Sequence, residues 1–483
     1  MSDSPITDRS GQLAQGTLGW LALGLVLLSA VARGGNTPLV WTFLAFAVLV
    51  LFGAQVALDF WRGVGVPGGR VWPVATLYFA TLAYLWVQVV VPVGGGLAHP
   101  VWQIAPEGAV PRIGADPGQG RHVILRLICY AMVFWIVLRA AMDRVRAKRM
   151  LVAIALWSTL LALYGISAHV AGDNPILGDR ATGNLSATFV NRNNYATYAV
   201  FGVLANLAVY LDRTMALRGA DGRVGLRDFL ESFFGGGWVF LLGALICLGA
   251  LAMTASRAGG IAGAIGLLAF LAARRQRGAE GGWILWAVVG AGIAFIAVTT
   301  TSGLLDRLIT TDTEELRFVI YPEVWAGALE RPLLGHGAGA FHDTFRARVP
   351  EGAGAAEWDM AHNSYLENAY EFGLPAAAAF YAALGLIAAR LVRGARTRRR
   401  DTDIAAFAIG CLAAGAFHAA FDFSLQMPAA AALFAAILGL GWAQSFTREE
   451  IDPARARRRG KRHRRSDPRR AEGQVAAQRV SRA

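Results

Sequence analysis

Apolar residues along this chain come in blocks, many of them close to twenty residues long. A helix needs roughly 20 predominantly apolar residues to cross the hydrocarbon core of a bilayer. Twelve blocks approach or reach that length: 18–32, 38–57, 72–93, 122–142, 150–171, 194–211, 236–255, 258–273, 283–302, 364–392, 404–422 and 428–446. The pattern predicts an all-α fold, a polytopic bundle of about twelve transmembrane helices. It divides the chain into an N-terminal segment 1–17, helices one to nine in 18–302, a long loop 303–362, helices ten to twelve in 363–446, and a tail 447–483. Loops of that length are usually functional. This one is expected to carry short amphipathic helices lying over the bundle.

Composition agrees with the pattern. The chain is 55% hydrophobic and 16% charged, against about 25% charged in a soluble domain. That excludes a soluble enzyme, a disordered chain, a disulfide scaffold and a single-anchor protein. Cys129, Cys247 and Cys411 all lie inside apolar blocks and read as buried thiols. The segment 18–28 followed by Ala30-Val31-Ala32 has the form of a signal peptide. The acidic Asp3 and Asp8 before it favour an uncleaved first helix.

The net charge is +13, and residues 448–483 hold 13 Arg or Lys against 5 Asp or Glu. A basic run such as 457–465 beside a membrane helix reads as an orientation and headgroup signal rather than a nucleic-acid site. Alternate loops are rich in arginine, around 144–149, 213–227, 274–277 and 393–400. Their bias puts them in the cytoplasm, with both termini there as well. The loop 303–362 then faces outward, and its Asp and Glu outnumber its Arg by 10 to 5.

The candidate chemistry lies at outward span ends, where charge is costly and needs a reason. Arg257 sits in a tight Thr-Ala-Ser-Arg-Ala-Gly-Gly turn between two apolar blocks. It reads either as a snorkelling arginine or as a fixed cation for an anionic lipid-linked group. Arg317 opens a stretch with apolar residues at helical spacing. The Gly335-His336-Gly337-Ala338-Gly339 run reads as a tight backbone turn rather than a nucleotide loop. Ser364 and Glu367 have capping-box spacing, which puts His362 just outside a helix start, where the dipole favours the neutral imidazole a general base needs. Asn191 and Arg192, at another outer helix entrance, suit either phosphate and sugar hydroxyls or helix capping. His418 and Asp422, four apart, offer two metal ligands without a third. No metal or cofactor is expected. A lipid-linked glycan transporter is the alternative from another class. It would place ionisable groups near the midplane and in repeated broken helices, whereas most charges here sit at span ends and no repeat pair is found.

These parts suit one reaction. A hydroxyl attacks a carbon whose leaving group is a diphosphate, arginines stabilise that leaving group, and His362 takes the proton.

At this point the sequence resembles the O-antigen ligase and O-antigen polymerase superfamily. The likeness is carried by Thr188–Asn194, Thr254–Arg257, Arg317–Trp325, Pro332–Phe341, His362–Glu367 with Glu371-Phe372-Gly373, and more distantly His418–Pro428. Arg257-Ala258-Gly259 stands where the family pattern often runs Arg-Gly-Gly. The resemblance implies a metal-independent, inverting glycosyltransferase of the bacterial inner membrane with its active site facing the periplasm. Its donor would be an undecaprenyl-diphosphate glycan, and its acceptor lipid A-core or another glycan. It also implies that His362 is the catalytic residue and that Arg257 and Arg317, with Arg192 as a third, bind the diphosphate; Asn191, Tyr321 and Asn363 are the further candidates for binding substrate.

Overall fold

A computed structural model describes residues 5–63, 68–178, 183–215, 236–274, 313–353, 357–398, 402–446 and 450. Its described residues form fourteen α-helices. In order they are α1 (Pro5–Ser29), α2 (Pro38–Trp61), α3 (Gly68–Val90), α4 (Pro117–Ala141), α5 (Arg144–Ala171), α6 (Arg192–Met215) and α7 (Trp238–Met253). Then follow α8 (Arg257–Arg274), α9 (Thr313–Glu330), α10 (Phe341–Phe345), α11 (Ser364–Phe372), α12 (Leu374–Thr397), α13 (Asp403–His418) and α14 (Pro428–Ala443). Eight of them are long and apolar enough to cross a membrane, and three more, α7, α13 and α14, are apolar but 16 residues long. The all-α polytopic reading therefore holds. The span expected at 283–302 and the tail 451–483 lie outside the described residues.

Helix starts follow the local sequence. Asp116 caps α4, its carboxylate accepting the N–H groups of Gly118 and Gln119 at 2.7 and 3.0 Å, and Pro117 opens the first turn. Asp143 caps α5 through Arg146 N–H at 2.8 Å. Every residue of α14 is buried, as expected for a helix apolar all round. Small residues let its neighbours approach. A Cβ on Gly439 would stand 2.4 Å from the carbonyl oxygen of Phe134 in α4. Where α8 crosses α13, Gly266 and Gly410 each face the other's carbonyl oxygen at 2.8 Å from the same imagined atom. Arg274, at the end of α8, pairs with Asp403, at the start of α13. The two helices are therefore antiparallel, and Arg257 lies at the same end of the bundle as His418.

The described part of the long loop, 313–353 and 357–362, is folded. Ile320, Val324, Ala328, Phe341, Phe345, Trp358 and Tyr370 form a second small core beside the main one. The helix expected over 364–392 is two helices broken at Gly373, which sits at φ 80°, ψ 155°. A backbone in that region suits glycine alone, and Pro375 just after it favours a fresh start. The break leaves carbonyls of α11 to be met, and the glycine-rich run meets them. His336 N–H donates to Tyr370 O and Gly337 N–H to Glu371 O, both at 2.9 Å, and Leu374 N–H donates to Pro332 O at 2.7 Å. Gly335, Gly337 and Gly339 all have positive φ, so the run is the tight turn its glycines suggested. A Cβ on Gly335 would stand 2.3 Å from Glu371 O. Gly335→Ala is therefore expected to destabilise by more than the ~1 kcal/mol of an ordinary glycine change, read as a fall in Tm of the purified protein.

A histidine pair fastens this turn to the 91–116 connection. Val101 N–H donates to His99 Nδ1 at 3.2 Å, so the His99 proton lies on Nε2 and is given to His336 Nδ1 at 2.9 Å. His336 in turn donates from Nε2 to Gly327 O at 3.0 Å, and its ring stacks on Tyr370. Both rings must be neutral for this chain of bonds. Burial pushes His99 down to about 3 and His336 to about 4, with their nearby positive neighbours adding to the effect for both. Since the folded values are depressed, the unfolded chain binds protons first as pH falls. The pair's stabilisation is complete above pH ~6.5 and is lost between there and about pH 4 for His336 and about pH 3 for His99. Thermal unfolding in detergent across that window is expected to show the fall, and His336→Gln should flatten it.

Candidate active site

Five segments meet at the end of the bundle where α13 finishes. His418 Nδ1 lies 2.8 Å from Thr197 Oγ1 of α6 and 2.9 Å from Ser424 Oγ, and Ser424 Oγ donates to Asn193 O at 3.2 Å. That brings the start of α6, and Arg192 with it, to this end. Gly259 in the first turn of α8 lies so close to α6 that a Cβ on it would sit 2.7 Å from the Ala196 Cβ, which brings Arg257. Ser364 N–H donates to Ala419 O at 2.8 Å, which brings α11. Arg317 Nη1 donates to Phe421 O at 3.1 Å, which brings α9. Arg192, Arg257, Arg317 and His362 are thus gathered from four helix starts far apart in sequence.

His362 has φ 53°, unusual for a residue with a side chain. Its backbone is gripped on every side. The carboxylate of Glu367 accepts Ala361 N–H at 2.7 Å, Tyr321 Oη donates to His362 O at 2.9 Å, and Asn363 caps the following helix. Strain of this kind persists only where the surroundings over-determine it, and it clusters at functional sites. The other non-glycine residues with positive φ among the described residues, Arg33, Ala187 and Ala255, also lie at this end of the bundle. The His362 ring stands edge-on to Phe423, with centroids 4.8 Å apart, and to Trp358 at 6.0 Å.

Asp422 completes the group. It is wholly buried, its Oδ1 lies 3.5 Å from His362 Nδ1, and its Oδ2 lies 3.6 Å from Arg317 Nη1. Burial by itself would raise its pKa, but His362 beside it and the charges of His418, His362 and Arg317 outweigh burial, so the carboxyl is held below its usual range. It is an anion between a histidine and an arginine, close to both, while His362 Nδ1 and Asp422 Oδ2 are buried with no hydrogen-bond partner among the described residues. The four-residue spacing of Asp422 from His418 suggests two metal ligands on one helix, but α13 ends at His418 and the chain turns, so Asp422 does not share a helix face with that histidine. The signal that could have found it was Phe421-Asp422-Phe423, already part of the family-like stretch.

The remaining expected residues do more local work. Asn363 Oδ1 accepts the N–H groups of Tyr365 and Leu366, both at 3.1 Å, so the cap of α11 is Asn363 rather than Ser364. Glu367 reaches Ala361 N–H instead of closing a capping box, because the cap is one residue earlier. Asn191 Oδ1 accepts Asn193 N–H at 2.8 Å at the start of α6. Tyr321 is pushed up to about 12 by burial, so its hydroxyl keeps its proton and serves as a donor. Around them Asn193 Oδ1, Asn194 Oδ1 and His418 Nε2 are buried with no hydrogen-bond partner in the protein. Each such atom costs about 1–3 kcal/mol.

Beside His362 opens a cavity of 1020 Å³, reached by Asp359, Met360 and Ser364 and running between α3, α4, α12 and α14 past Tyr78, Phe134, Leu384 and Leu438. Its walls are almost entirely apolar. At its polar end stand Arg126, Glu367, Asn368 and Glu371. Burial raises both glutamates, and Glu367 further raises Glu371. Glu371 Oε1 accepts Phe341 N–H at 3.0 Å, so α11 holds the glycine-rich turn as well as His362. Among the described residues, one surface group, His342, Glu357 and Asp359, could bring three ligand atoms together. Arg346 already pairs with Glu357, and that opposes a cation there.

The fold and this site define a multi-pass helical membrane protein with a folded cap beside a charged, partly buried cleft. Residues 242–381 match the O-antigen ligase family, which supports the superfamily resemblance seen in the sequence. The matched segment contains Arg257, Arg317, Tyr321, His362 and Asn363. It supports glycan transfer of the ligase or polymerase kind, acting on lipid-linked glycan and a glycan acceptor. No curated protein and no solved structure matches the chain.

Proposed function

We propose that the protein transfers a glycan from undecaprenyl diphosphate to a sugar hydroxyl at the periplasmic face of a bacterial inner membrane, as an O-antigen ligase does. The observation that carries this reading is the His362–Asp422–Arg317 group, with two further arginines at neighbouring helix starts.

In this mechanism His362 presents Nδ1 to Asp422 and its other ring nitrogen to the acceptor. The acceptor oxygen attacks the anomeric carbon from the face opposite the diphosphate while His362 takes its proton. The bond from carbon to the diphosphate oxygen breaks, and its electron pair leaves with that oxygen, inverting the centre. Arg317, Arg257 and Arg192 meet the developing charge, Asp422 stabilises the imidazolium, and Tyr321 holds His362 in place. No covalent intermediate and no metal are required. The apolar cavity of 1020 Å³ is the proposed seat for the lipid of one substrate.

Repeat-unit polymerisation would use the same residues, and the family match favours it equally. A reconstituted assay tests both, with lipid-linked glycan as donor, lipid A-core as acceptor and EDTA throughout. The ligase reading expects single transfer to lipid A-core that survives EDTA. A ladder of lengthening lipid-linked product would replace it with the polymerase. No transfer to any acceptor would sink the enzyme reading.

A further inference from the structure

Helix α9 is built with its apolar side turned the wrong way for a helix in water. One face packs inward through Ile320, Val324 and Ala328. The opposite face is exposed, and it is made of Phe318, Val319, Pro322, Trp325, Ala326 and Leu329, spaced i, i+1, i+4, i+7, i+8 and i+11. Those intervals put them on one stripe. Phe318 is 60% exposed, and Leu333, just past the helix, 68%. Yet α9 is too rich in Glu and Arg to be a membrane span, and it is not among the helices apolar enough to cross.

The stripe does not stand alone. Tyr84 Oη of α3 donates to the carbonyls of Leu333 and Leu334, at 3.1 and 2.9 Å. Tyr84 lies near the end of a candidate span whose outward side carries exposed Trp86, Val87 and Val90. Arg331 donates to Leu97 O and Ala98 O, at 2.9 and 3.2 Å. Leu97 is 53% exposed and Ile104, in the same connection, 86%. These bonds place exposed Leu97 and Leu333 between the exposed apolar residues of that span and the stripe of α9, with Glu330 and Arg331 beside them.

We infer that α9 lies in the membrane interface at the site end of the bundle, its Phe318–Trp325–Leu329 stripe sunk among the lipid headgroups and upper acyl chains. An amphipathic helix with Trp, Phe and Leu on its apolar face and charged groups on the other takes that position. Here the charged groups are mainly glutamates, so the apolar face has to carry the binding. The consequence for the site is one of depth. Arg317 immediately precedes Phe318, so a helix anchored there holds this arginine at headgroup level. The inference does not need the transfer reaction to be right.

The test is a depth measurement on the whole protein in phospholipid nanodiscs. The buried Cys129, Cys247 and Cys411 are replaced by alanine. Single cysteines carrying the fluorophore NBD are then placed by Phe318→Cys, Trp325→Cys and Leu329→Cys. Glu357→Cys serves as a water-exposed control and Phe43→Cys, on the outer face of α2, as a bilayer control. Each variant's unfolding temperature confirms that it is folded. The expected result is that lipids with a shallow nitroxide quench the three stripe positions several-fold more than position 357, while aqueous iodide quenches position 357 alone. Iodide access at the stripe equal to that at 357 would overturn the inference. So would protection from both quenchers, since a protein surface would then be the cover.

Discussion

His362→Ala is expected to lower the rate of the proposed glycan transfer by about 10²- to 10⁴-fold, the usual contribution of a general base. The loss falls on kcat, because the side chain acts on the acceptor proton and the diphosphate contacts are elsewhere. The fold is expected to survive, since the neighbours grip the backbone of this segment rather than its ring. Tyr321 bonds the carbonyl of His362, and Glu367 bonds the preceding N–H. The φ of 53° gives a second variant. His362→Gly relieves the strain, so it should be at least as stable as wild type and still inactive. A fully folded glycine variant that transfers at the wild-type rate would remove His362 from the mechanism. Asp422→Asn should lower kcat through His362 and also change KM for the donor, because Asp422 lies against both His362 and Arg317.

The second large effect is at Arg317, and two substitutions separate its roles. In the proposed mechanism Arg317→Ala removes a cation from the diphosphate, and in the structure it strips Asp422, which is wholly buried, of a counter-ion 3.6 Å away. Breaking a buried pair from one side costs about 3–5 kcal/mol, so this variant should lose both activity and thermal stability. Arg317→Lys keeps the charge but not the planar fork, nor the hydrogen bond to Phe421 O. It is expected to unfold near the wild-type temperature and yet transfer more slowly, toward the 10²–10³-fold loss seen when one oxyanion donor is removed. Combining Arg317→Ala with Asp422→Asn should restore much of the stability and none of the activity. Stability lost without activity in any of these proteins would mark Arg317 as a structural counter-ion only.

Several residues of the site were legible in the chain because they stand where charge is expensive. Arg257 between two apolar blocks, Arg317 at the opening of a stretch with helical spacing, and His362 beside a helix start all break a strong hydrophobic pattern. The glycine-rich turn was legible from its spacing as well. Asp422 was not. In sequence it is one more residue after a helical run, and its spacing from His418 suggested a shared helix face. Only the end of α13 at His418 turns its carboxylate toward His362 and Arg317. The cap of α11 was misplaced by one residue for a related reason. Asn363 and Ser364 are both good capping residues, and the choice fell to the backbone of His362, whose φ is set by Tyr321, Glu367 and Ala419 together. The break at Gly373 was hidden inside a continuous apolar block, because hydropathy does not register a backbone dihedral.

Hydrophobic length and the distribution of charge are properties of the chain itself, and they determined that this protein is a bundle of membrane-crossing helices with a long charged connection. They did so because the bilayer imposes one spacing on every span, whatever its neighbours. What the tertiary structure alone decided is which helix starts meet. Arginines 65 and 60 positions apart, a histidine held in a strained backbone and a buried aspartate become one site because glycines and alanines let α6, α8 and α13 pack closely. The cap then closes on the turn after α13. Those contacts depend on shape and on the pairing of buried charges, and neither is written in any one stretch of sequence.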